Sequence, residues 1–494
     1  MNNQATNFGE KFLYDIWESK KAGDDLKTKD GQYIEIIEPG DRNNDLGGPD
    51  FQNARIKIGN ITYQGDVEID KQYSDWRMHG HYFNKKYNKV VLHVHFSYDG
   101  KYPYVITESG RKVQSIPLLQ FVSSGMKELI QKAIAKEQEA EYTHMPCVET
   151  NYMVKRQKKI DYLHELGLIR FKEKSAKYLN RLKEIIYLKN MKLNEPITKY
   201  EPDENFYNAE LSSEEFNDKT LWYQLIYEGI FESLGYSKNK DTMKKLALLV
   251  DFDFINSFKD KENFVDYMEA VYFSVGGLIP DVPNLPDEET SEYSRKLYAL
   301  WNEVKDKYDG EILNPAEWNF FRLRPQNFPT IRIAGGARLI DKLINKELVE
   351  KIFLILDKDI KDIYLLRKIR DLLMTKGEGF WREHYVFDQP GGAPIKFFVG
   401  STRGDDIIVN VIMPVLLVYF EIFGKKNYAA KIIHLYSTYS QLSENYIVKE
   451  VSAVLDIGDA WKESILHQGM IYLYRNYCSK QKCAECKIGE KIFS

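Results

Sequence analysis

The chain has 494 residues, 43% of them hydrophobic and 14% aromatic, which is enough for about two to four packed domains and excludes a disordered protein. Its formal net charge of −4 excludes a uniformly basic nucleic-acid binder, although local basic patches remain open. No apolar run approaches the ~20 residues that span a bilayer, and Met1 to Gln4 lacks the basic and apolar regions of a signal peptide, so we expect a cytoplasmic protein with no membrane partner.

The N-terminal part of the chain predicts an α/β domain, which we place at residues 1–150. Phe8, Phe12 and Ile16 recur at helical spacing and indicate a helix over residues 8–20. Gly59 and Asn60 tolerate positive φ and indicate a hairpin turn between two strands. Alternating or continuous apolar residues predict strands at residues 33–38, 54–58, 61–69, 89–97 and 113–120, followed by a helix at 124–140.

From about residue 151 the spacing of apolar residues becomes helical. We predict a mainly α-helical domain with basic patches over residues 151–460. A C-terminal cysteine-bearing segment, residues 461–494, is expected to pack back on the N-terminal domain. The predicted helical segments are 155–190, 220–235, 240–260, 295–307, 336–377 and 404–424, with Gly- and Pro-rich breaks at 279–286 and 389–394.

The predicted helical domain contains two basic regions. Between Lys155 and Lys192 there are twelve Lys or Arg residues against four Asp or Glu. A second group, Arg322, Arg324, Arg332 and Arg338, surrounds Pro325 and Pro329. Such groups form either solvated helix faces with ion pairs or a surface that binds phosphates. The second alternative predicts a nucleic-acid partner, bound by Lys155, Arg156, Lys158, Lys159, Arg322 and Arg324.

The predicted hairpin brings carboxylates from two strands to one end. With a two-residue turn at Gly59 and Asn60, Asp50 lies opposite Ile69 and therefore beside Glu68 and Asp70. Such carboxylates can hold Mg²⁺ or Mn²⁺, which polarises a phosphate and activates water. Strict alternation turns Asp50 to the face of Ile69 rather than of Glu68. The acid pair thus requires a bulge or a turn in the chain near residues 47–49.

Pro49-Asp50, followed after the hairpin by Glu68-Ile69-Asp70, resembles the PD-(D/E)XK nuclease core. In that restriction-endonuclease-like fold an α-helix precedes a mixed sheet, and the paired acids bind the metal. The resemblance implies that Asp50 and Glu68 are the metal ligands and that Glu10 is an accessory acid. The motif lysine, which orients or activates the attacking water, is replaced by Asp70 here. Lys71 or a nearby histidine would have to substitute for it.

A second set of segments is spread over nearly the whole chain: Gly48-Pro49-Asp50-Phe51, Gly65 to Ile69, Ser74-Asp75-Trp76 with His79-Gly80-His81, Leu92-His93-Val94, Arg322 to Pro325 with Asn327-Phe328-Pro329, and the terminal cysteine group. Together these segments resemble a bacterial family, domain of unknown function 2851. This resemblance implies no activity.

Four of the nine histidines fall within seventeen residues, at positions 79, 81, 93 and 95. His93 and His95 share one face of a predicted strand, where they either ligate a metal or form hydrogen bonds within a half-buried sheet. His79 and His81 flank Gly80 in a turn and lie nearest in sequence to the acids. We therefore expect His79 and His81 to be the first choice for a metal-binding or catalytic role.

Cys478, Cys483 and Cys486 have the spacing C-x4-C-x2-C, and Cys147 is the only other cysteine. Such spacing is typical of a zinc or iron–sulfur site. All four cysteines together would suit a 4Fe–4S cluster, and the arrangement is similar to the iron–sulfur staple of some PD-(D/E)XK nucleases. Zn²⁺ with His144 or His467 as the fourth ligand, or four unligated thiols, are the alternatives.

These patterns favour a metal-dependent nuclease or nuclease-like DNA/RNA-processing protein that hydrolyses phosphodiester bonds, with Mg²⁺ or Mn²⁺ at Asp50 and Glu68. A non-catalytic nucleic-acid-binding or scaffold protein on a degenerate nuclease fold is the first alternative, because the motif lysine is missing. A zinc-dependent hydrolase that uses the histidine cluster is the second. The sequence does not indicate an oligomeric state.

Overall fold

A computed structural model of the protein describes most of the chain in two compact units. The first unit comprises Met1–Tyr142 and Asn314–Phe328, and the second comprises Thr143–Leu313 and Pro329–Ser494. The predicted C-terminal segment, residues 461–494, is grouped with the helical unit. That it packs back on the N-terminal domain stays a prediction. The described residues are 13–14, 17–18, 26–28, 31–43, 48–97, 102–118, 145, 147–148, 150–191, 206–207, 211–286, 288, 290–320, 323–440, 446–458 and 463–493.

The first unit contains a mixed seven-stranded sheet of order β1-β3-β4-β5-β7-β6, with β2 paired to β3. The β4–β5 and β5–β7 pairs are parallel and the other pairs are antiparallel. This confirms the predicted α/β domain with a mixed sheet. The strands are β1 (Ile34–Glu38), β2 (Asp41–Arg42), β3 (Phe51–Ile58), β4 (Ile61–Gln72), β5 (Val90–Ser97), β6 (Tyr104–Ile106) and β7 (Lys112–Pro117).

The predicted strands are all present, and the short strands β2 and β6 are additional. Residues 13–14 and 17–18 are helical, in agreement with the predicted first helix, the rest of which lies outside the described residues. The helix predicted at residues 124–140 also lies outside them. β4 is joined to β5 by a short helix, α1 (Asp75–Met78), and by two 3-10 turns, His81–Phe83 and Lys85–Lys89.

The two faces of the sheet differ in what they bury. Val67 and Ile69 of β4 and Leu92 and Val94 of β5 face an apolar core that also contains Trp17. Because successive side chains on a strand point to opposite faces, Glu68 and Asp70 must point to the other face. That face carries a second, smaller cluster, formed by Trp76, Tyr87, Val90, Val105 and Val113.

A bulge interrupts the hairpin between β3 and β4. The pairing is regular from Ile58–Ile61 to Ala54–Gly65 and then shifts by one residue to Phe51–Val67. Asn53 adopts a φ of 58°, and its N–H donates to Asp66 Oδ1 at 3.1 Å. The shift turns the residues of β3 that precede Asn53 over by one position. Asp50, which immediately precedes Phe51, therefore comes level with Glu68.

The second unit is mainly helical, as predicted. Two predicted helical segments are divided in the structure. Residues 240–260 form two helices, because Asp251 caps the second one by accepting a hydrogen bond from Phe254 N–H at 2.7 Å. Residues 336–377 fall into three helices. The helices are α2 (Arg156–Met191), α3 (Lys219–Leu234), α4 (Lys240–Leu249), α5 (Phe252–Asn256), α6 (Phe264–Val275), α7 (Glu292–Val304), α8 (Pro329–Ile344), α9 (Leu348–Leu356), α10 (Asp362–Leu373), α11 (Phe380–Glu383), α12 (Ser401–Ile407), α13 (Met413–Ile422), α14 (Lys426–Thr438), α15 (Tyr446–Leu455), α16 (Ser464–Leu473) and α17 (Lys487–Phe493).

Short non-α elements complete this unit. Ile408–Ile412 and Tyr474–Cys478 are π-helical, and they continue α12 and α16 respectively. Four short strands pair in twos, Thr375–Lys376 with Phe397–Val399 and His384–Val386 with Gln389–Pro390. Among the helices that the structure describes, none is both long enough and apolar enough to cross a membrane.

Two glycines set the packing of α16 against α2. A Cβ atom on Gly167 of α2 would lie 2.1 Å from the carbonyl oxygen of Ile465, and one on Gly469 of α16 would lie 1.9 Å from that of Leu163. Real Cβ atoms do not approach so closely, so only glycine lets the two backbones meet here. This contact fixes α16 on α2, the first long helix of the unit.

Candidate metal centre

Acidic and imidazole side chains meet on the polar face of β4 and β5. The parallel register places Glu68 beside His93 and Asp70 beside His95. All four side chains are fully buried. Burying a carboxylate destabilises the fold unless the carboxylate is paired or binds a metal. Glu68 and Asp70 must therefore have compensating partners on this face.

The connection after β4 supplies two more histidines. His79 ends α1, where its N–H donates to the carbonyl of Asp75 at 2.7 Å. Gly80 follows with a φ of 76°, and a Cβ there would lie 2.5 Å from the ring of Phe83. This tight turn places His79 Nδ1 3.0 Å from Asp70 Oδ1. It also places His81 Nε2 2.9 Å from Glu68 Oε1 and 3.8 Å from Asp70 Oδ1.

Asp70, His79 and His81 form a group that can hold a metal ion. One ligand atom from each lies within 4.8 Å of the other two. His81 is 1% exposed, yet its Nε2 makes no hydrogen bond with the described residues, because its contact with Glu68 Oε1 lacks hydrogen-bond geometry. A buried imidazole nitrogen that lies close to two carboxylates suits a metal ligand.

Two imidazoles and a carboxylate constitute a mixed ligand set. Imidazole favours ions such as Zn²⁺, whereas Mg²⁺ prefers oxygen ligands alone. The geometry of this set therefore favours Zn²⁺ or Mn²⁺ over Mg²⁺.

A second layer of residues holds these side chains in place. His93 Nε2 lies 3.1 Å from Asp70 Oδ2, and His93 Nδ1 lies 2.8 Å from Ser115 Oγ on β7. Tyr87 stacks on the ring of His81 with a centroid distance of 4.0 Å. The ring of Trp76 lies 5.4 Å from His81 and 5.3 Å from His93. Such contacts orient ligands and tune the metal.

The acidic and imidazole side chains of the site shift one another's pKa values. Burial alone would raise the pKa of Asp70, but the imidazoles of His79, His81 and His93 hold it well below its usual value. Burial alone would lower the pKa of His79, but Asp70 raises it above the ordinary value. Burial lowers the pKa of His93 despite its contact with Asp70. Asp70 is therefore an anion at neutral pH, as a metal ligand must be.

Asp50 lies beside this group in a different environment. Its N–H donates to Glu68 Oε2 at 3.1 Å, its Oδ2 accepts from Ile69 N–H at 2.9 Å, and its Oδ1 accepts from Tyr14 Oη at 2.5 Å. Burial, followed by the charge of Glu68, raises the pKa of Asp50 well above its ordinary value. The structure thus brings Asp50 and Glu68 together, but the three-residue group that can hold a metal contains Asp70 in place of Asp50.

The sequence-predicted catalytic residues Asp50, Glu68, Asp70, His79 and His81 all lie at this site. The side chain of Lys71 and the whole of Glu10 lie outside the described residues. Sequence reasoning missed Tyr14, Tyr87 and Ser115. None of them has a sequence signal, because a tyrosine or serine in an apolar segment is usually structural.

The predicted basic residues are divided by the structure. Lys155, Arg156, Lys158 and Arg324 are exposed, and Arg322 lies outside the described residues. Lys159 is 3% exposed, and it donates to Asn151 Oδ1 at 2.6 Å and to the carbonyl of Leu455 at 2.9 Å. Its assignment as a nucleic-acid contact stays a prediction, although its ammonium group already has two partners inside the fold.

The two arginines of α8 in the second basic group also have internal partners. Arg332 is 5% exposed and donates to the carbonyl of Phe398 and to Tyr236 Oη. Arg338 pairs with Glu269 at 2.7 Å and with Glu378 at 3.0 Å. These contacts explain both arginines without a phosphate ligand.

The four cysteines are unpaired thiols, three of them buried and Cys483 half-buried. Burial, followed by the nearby Cys486 and Cys483, raises the pKa of Cys147. Burial together with the other three thiols raises the pKa of Cys478 to about 12. The structure therefore gathers Cys147, Cys478, Cys483 and Cys486 into one region of the second unit.

Comparison with known proteins agrees with one resemblance noted in the sequence. The model of a family described as "Protein of unknown function (DUF2851)" matches residues 10–191 and 208–445. A search of the curated proteins found no match, and a search of the solved structures found none either.

Proposed function

The chain belongs to the DUF2851 family, and from the geometry of its site we propose that it is a metal-dependent hydrolase whose substrates are the phosphodiester bonds of nucleic acid. The observation that carries the proposal is the convergence of Asp70, His79 and His81 within ligand distance of one ion. The ion is Zn²⁺ or Mn²⁺ by its ligands. It is held by Asp70 rather than by the Asp50–Glu68 pair that the sequence suggested.

A divalent cation at this position would polarise a phosphoryl oxygen and lower the pKa of a coordinated water. Asp70 supplies the negative charge that retains the ion, since its pKa is held low. Burial, followed by the charge of Glu68, raises the pKa of Asp50 well above its ordinary value. Two carboxyl groups with opposite pKa shifts suit an anionic ligand and a proton donor. Asp50 would then protonate the leaving oxygen.

The arrangement of elements supports phosphodiesters as the substrate class. A helical segment precedes the sheet, an antiparallel hairpin carries Asp50 and Glu68, and a crossover leads to the parallel strand β5. A helix before a mixed sheet that carries paired acids is what the PD-(D/E)XK resemblance of the sequence implies. The motif lysine is replaced by Asp70, and the two histidines of the crossover compensate by adding metal ligands.

A pair of surface lysines supports nucleic acid as the partner. The Lys491 side chain lies against that of Lys158 and lowers the pKa of Lys158, which is an exposed residue. Two adjacent ammonium groups repel each other, and a phosphate between them would remove that repulsion.

The test is to measure cleavage of single- and double-stranded DNA and RNA by protein loaded with Zn²⁺, Mn²⁺ or Mg²⁺. We expect cleavage with Zn²⁺ or Mn²⁺ that chelation abolishes. Asp70→Asn and His79→Ala should lower the rate by roughly 100-fold or more. His434→Ala is the matched control, because His434 is 61% exposed and pairs with Asp362 at 3.0 Å. Equal rates for the three variants would overturn the proposal.

Burial favours a second candidate function, a non-catalytic nucleic-acid-binding protein with a structural metal. Glu68, Asp70, His81 and His93 are each at most 1% exposed, whereas a catalytic metal keeps a position open to substrate. In this case metal would raise the unfolding temperature, nucleic acid would be retained in a salt-sensitive manner, and no cleavage would occur with any of the three ions.

A further inference from the structure

The four cysteines of the chain converge although Cys147 and the other three lie near opposite ends of the second unit's sequence. Cys147 begins the turn before α2, where its carbonyl accepts hydrogen bonds from the N–H and the side chain of Asn151 at 2.9 and 3.0 Å. Cys478 ends the π-helical continuation of α16. The close approaches of Gly167 to Ile465 and of Gly469 to Leu163 hold α2 and α16 against each other.

The remaining two cysteines are fixed by the contacts of α17. Lys487, the first residue of α17, pairs with Glu165 of α2 at 2.5 Å, and its Nζ lies 5.5 Å from the ring centroid of Tyr162. A Cβ on Gly489 would lie 2.1 Å from the carbonyl oxygen of Cys483, so α17 packs directly on the turn that bears Cys483. Cys486 immediately precedes α17 and is buried.

We propose that Cys147, Cys478, Cys483 and Cys486 ligate an iron–sulfur cluster of the four-iron type. The cluster joins the C-terminal segment to the turn before α2. Four thiolates from a short C-terminal segment and one distant turn are the ligands that such a cluster requires. On ligation each thiol gives up its proton to solvent and its sulfur bonds to one iron.

The spacing of the sulfurs favours a cluster over a single Zn²⁺. Zinc–sulfur bonds of about 2.3 Å in a tetrahedron bring the sulfurs to about 3.8 Å from one another. Within the part of the chain that the structure describes, no three of the four sulfurs lie within 4.8 Å of one another. A cluster binds each thiolate through a different iron and so accepts a wider spacing.

A histidine as the fourth ligand of a zinc ion is less well supported than a fourth cysteine. His467 lies on α16, and α16 continues to Cys478 without a break. Eleven residues of helix separate them by roughly 15 Å, so His467 cannot share an ion with Cys478. His144 lies outside the described residues.

The thiols also gain from a metal. All four cysteines are unpaired thiols, three of them buried and Cys483 half-buried. A cationic cluster core would remove the repulsion between the thiolates and allow all four to ionise.

The experiment is to purify the full chain without oxygen and to measure iron, acid-labile sulfide, zinc and the visible spectrum. We expect a brown protein with about four irons and four sulfides per chain. Cys147→Ser and Cys486→Ser should each lose most of the iron and the visible absorption. Ser479→Ala, a change at an exposed neighbour of Cys478, should keep both.

The far-ultraviolet circular dichroism spectrum separates loss of the cluster from loss of the fold. A variant that keeps its helical signal but loses iron supports the proposal. A colourless wild-type protein with one zinc per chain that Cys486→Ser removes would overturn it. A metal-free wild-type protein in which all four thiols react with a thiol reagent after mild denaturation would overturn it as well.

Discussion

The backbone N–H of Asp50 donates a hydrogen bond to Glu68 Oε2 at 3.1 Å. The carboxylate of Asp50 meanwhile accepts one from the N–H of Ile69 at 2.9 Å. The end of β3 and the middle of β4 are thus joined through two acidic residues rather than through the regular ladder. This link depends on the bulge at Asn53, which shifts the register by one residue. Asp70 contacts His79 and His93, while Glu68 contacts His81.

We expect Asp50→Asn to stabilise the metal-free protein above about pH 6 and to have little effect near pH 4. Burial and the charge of Glu68 raise the pKa of Asp50. A group whose pKa rises on folding contributes stability that is complete below its unfolded pKa of about 3.9 and is lost as pH rises through the folded pKa. Asparagine carries no charge and avoids this loss. Unfolding temperatures in EDTA between pH 4 and 8 measure the effect.

Asp260→Asn, at an exposed position, is the control and should match the wild type at each pH. If Asp50→Asn lowered the unfolding temperature throughout this range, the ionised carboxylate would be the form that the fold prefers.

The bulge should be sensitive to the residue at position 53. Asn53 has a φ of 58°, a region that a β-branched residue adopts only with strain of about 1–3 kcal/mol. Asn53→Val should therefore lower the free energy of unfolding by about that amount, whereas Asn53→Gly should be tolerated. The hydrogen bond to Asp66 comes from the backbone and survives both changes. Urea unfolding gives the two values.

Lys57→Val, in the regular part of β3, is the matched control, since valine suits an ordinary strand position. An Asn53→Val protein as stable as the wild type would show that the left-handed conformation is not required at this residue.

Ser115 should act on the metal centre through His93. Ser115 Oγ lies 2.8 Å from His93 Nδ1, and His93 Nε2 lies 3.1 Å from Asp70 Oδ2. Loss of such an outer partner typically weakens metal binding by about 10–100-fold. We expect Ser115→Ala to lower the affinity for Zn²⁺ by about 10-fold without unfolding the protein. Competition with a fluorescent chelator measures the affinity.

Ser109→Ala is the control, because Ser109 is exposed and its side chain contacts Thr107. An unchanged affinity in Ser115→Ala would mean that His93 holds Asp70 without help from β7.

His467 should make the helical unit sensitive to acid. Burial lowers its pKa from 6.5 to about 4, so the folded protein binds fewer protons than the unfolded chain in this range. Stability is therefore complete above about pH 6.5 and falls as pH drops toward 4, by about 3 kcal/mol in all. His467→Gln should remove most of this dependence. Unfolding by urea at pH 7, 5.5 and 4.5 tests it.

His434→Gln changes an exposed histidine and should leave the pH dependence as in the wild type. A His467→Gln protein that loses stability toward pH 4.5 as steeply as the wild type would assign the effect to other groups.

Local structure was largely readable from the sequence. Gly59 and Asn60 form the predicted hairpin turn, Val90–Ser97 is a strand, and Arg156–Met191 is a helix. These features depend on the periodicity and turn preferences of neighbouring residues. In the sequence, acids and histidines are concentrated between Gly47 and His95, which made this window the predicted place for a site.

The partners within that window were decided by tertiary structure alone. A one-residue shift at Asn53, the parallel pairing of β4 with β5 and the turn at Gly80 direct His79 and His81 to Asp70. None of the three follows from periodicity, because register and crossover geometry are set by contacts between strands that are far apart in sequence.

The same distinction holds for the charged and sulfur-bearing residues of the second unit. The sequence by itself determined that basic residues are concentrated from Lys155 onward and that three cysteines lie near the C-terminus. Only the packing of the helices decided that Lys159 is buried and that Cys147 joins the other cysteines. The sequence shows which residues are close along the chain. Which side chains become buried, and which cysteines meet, depends on which helix faces pack together.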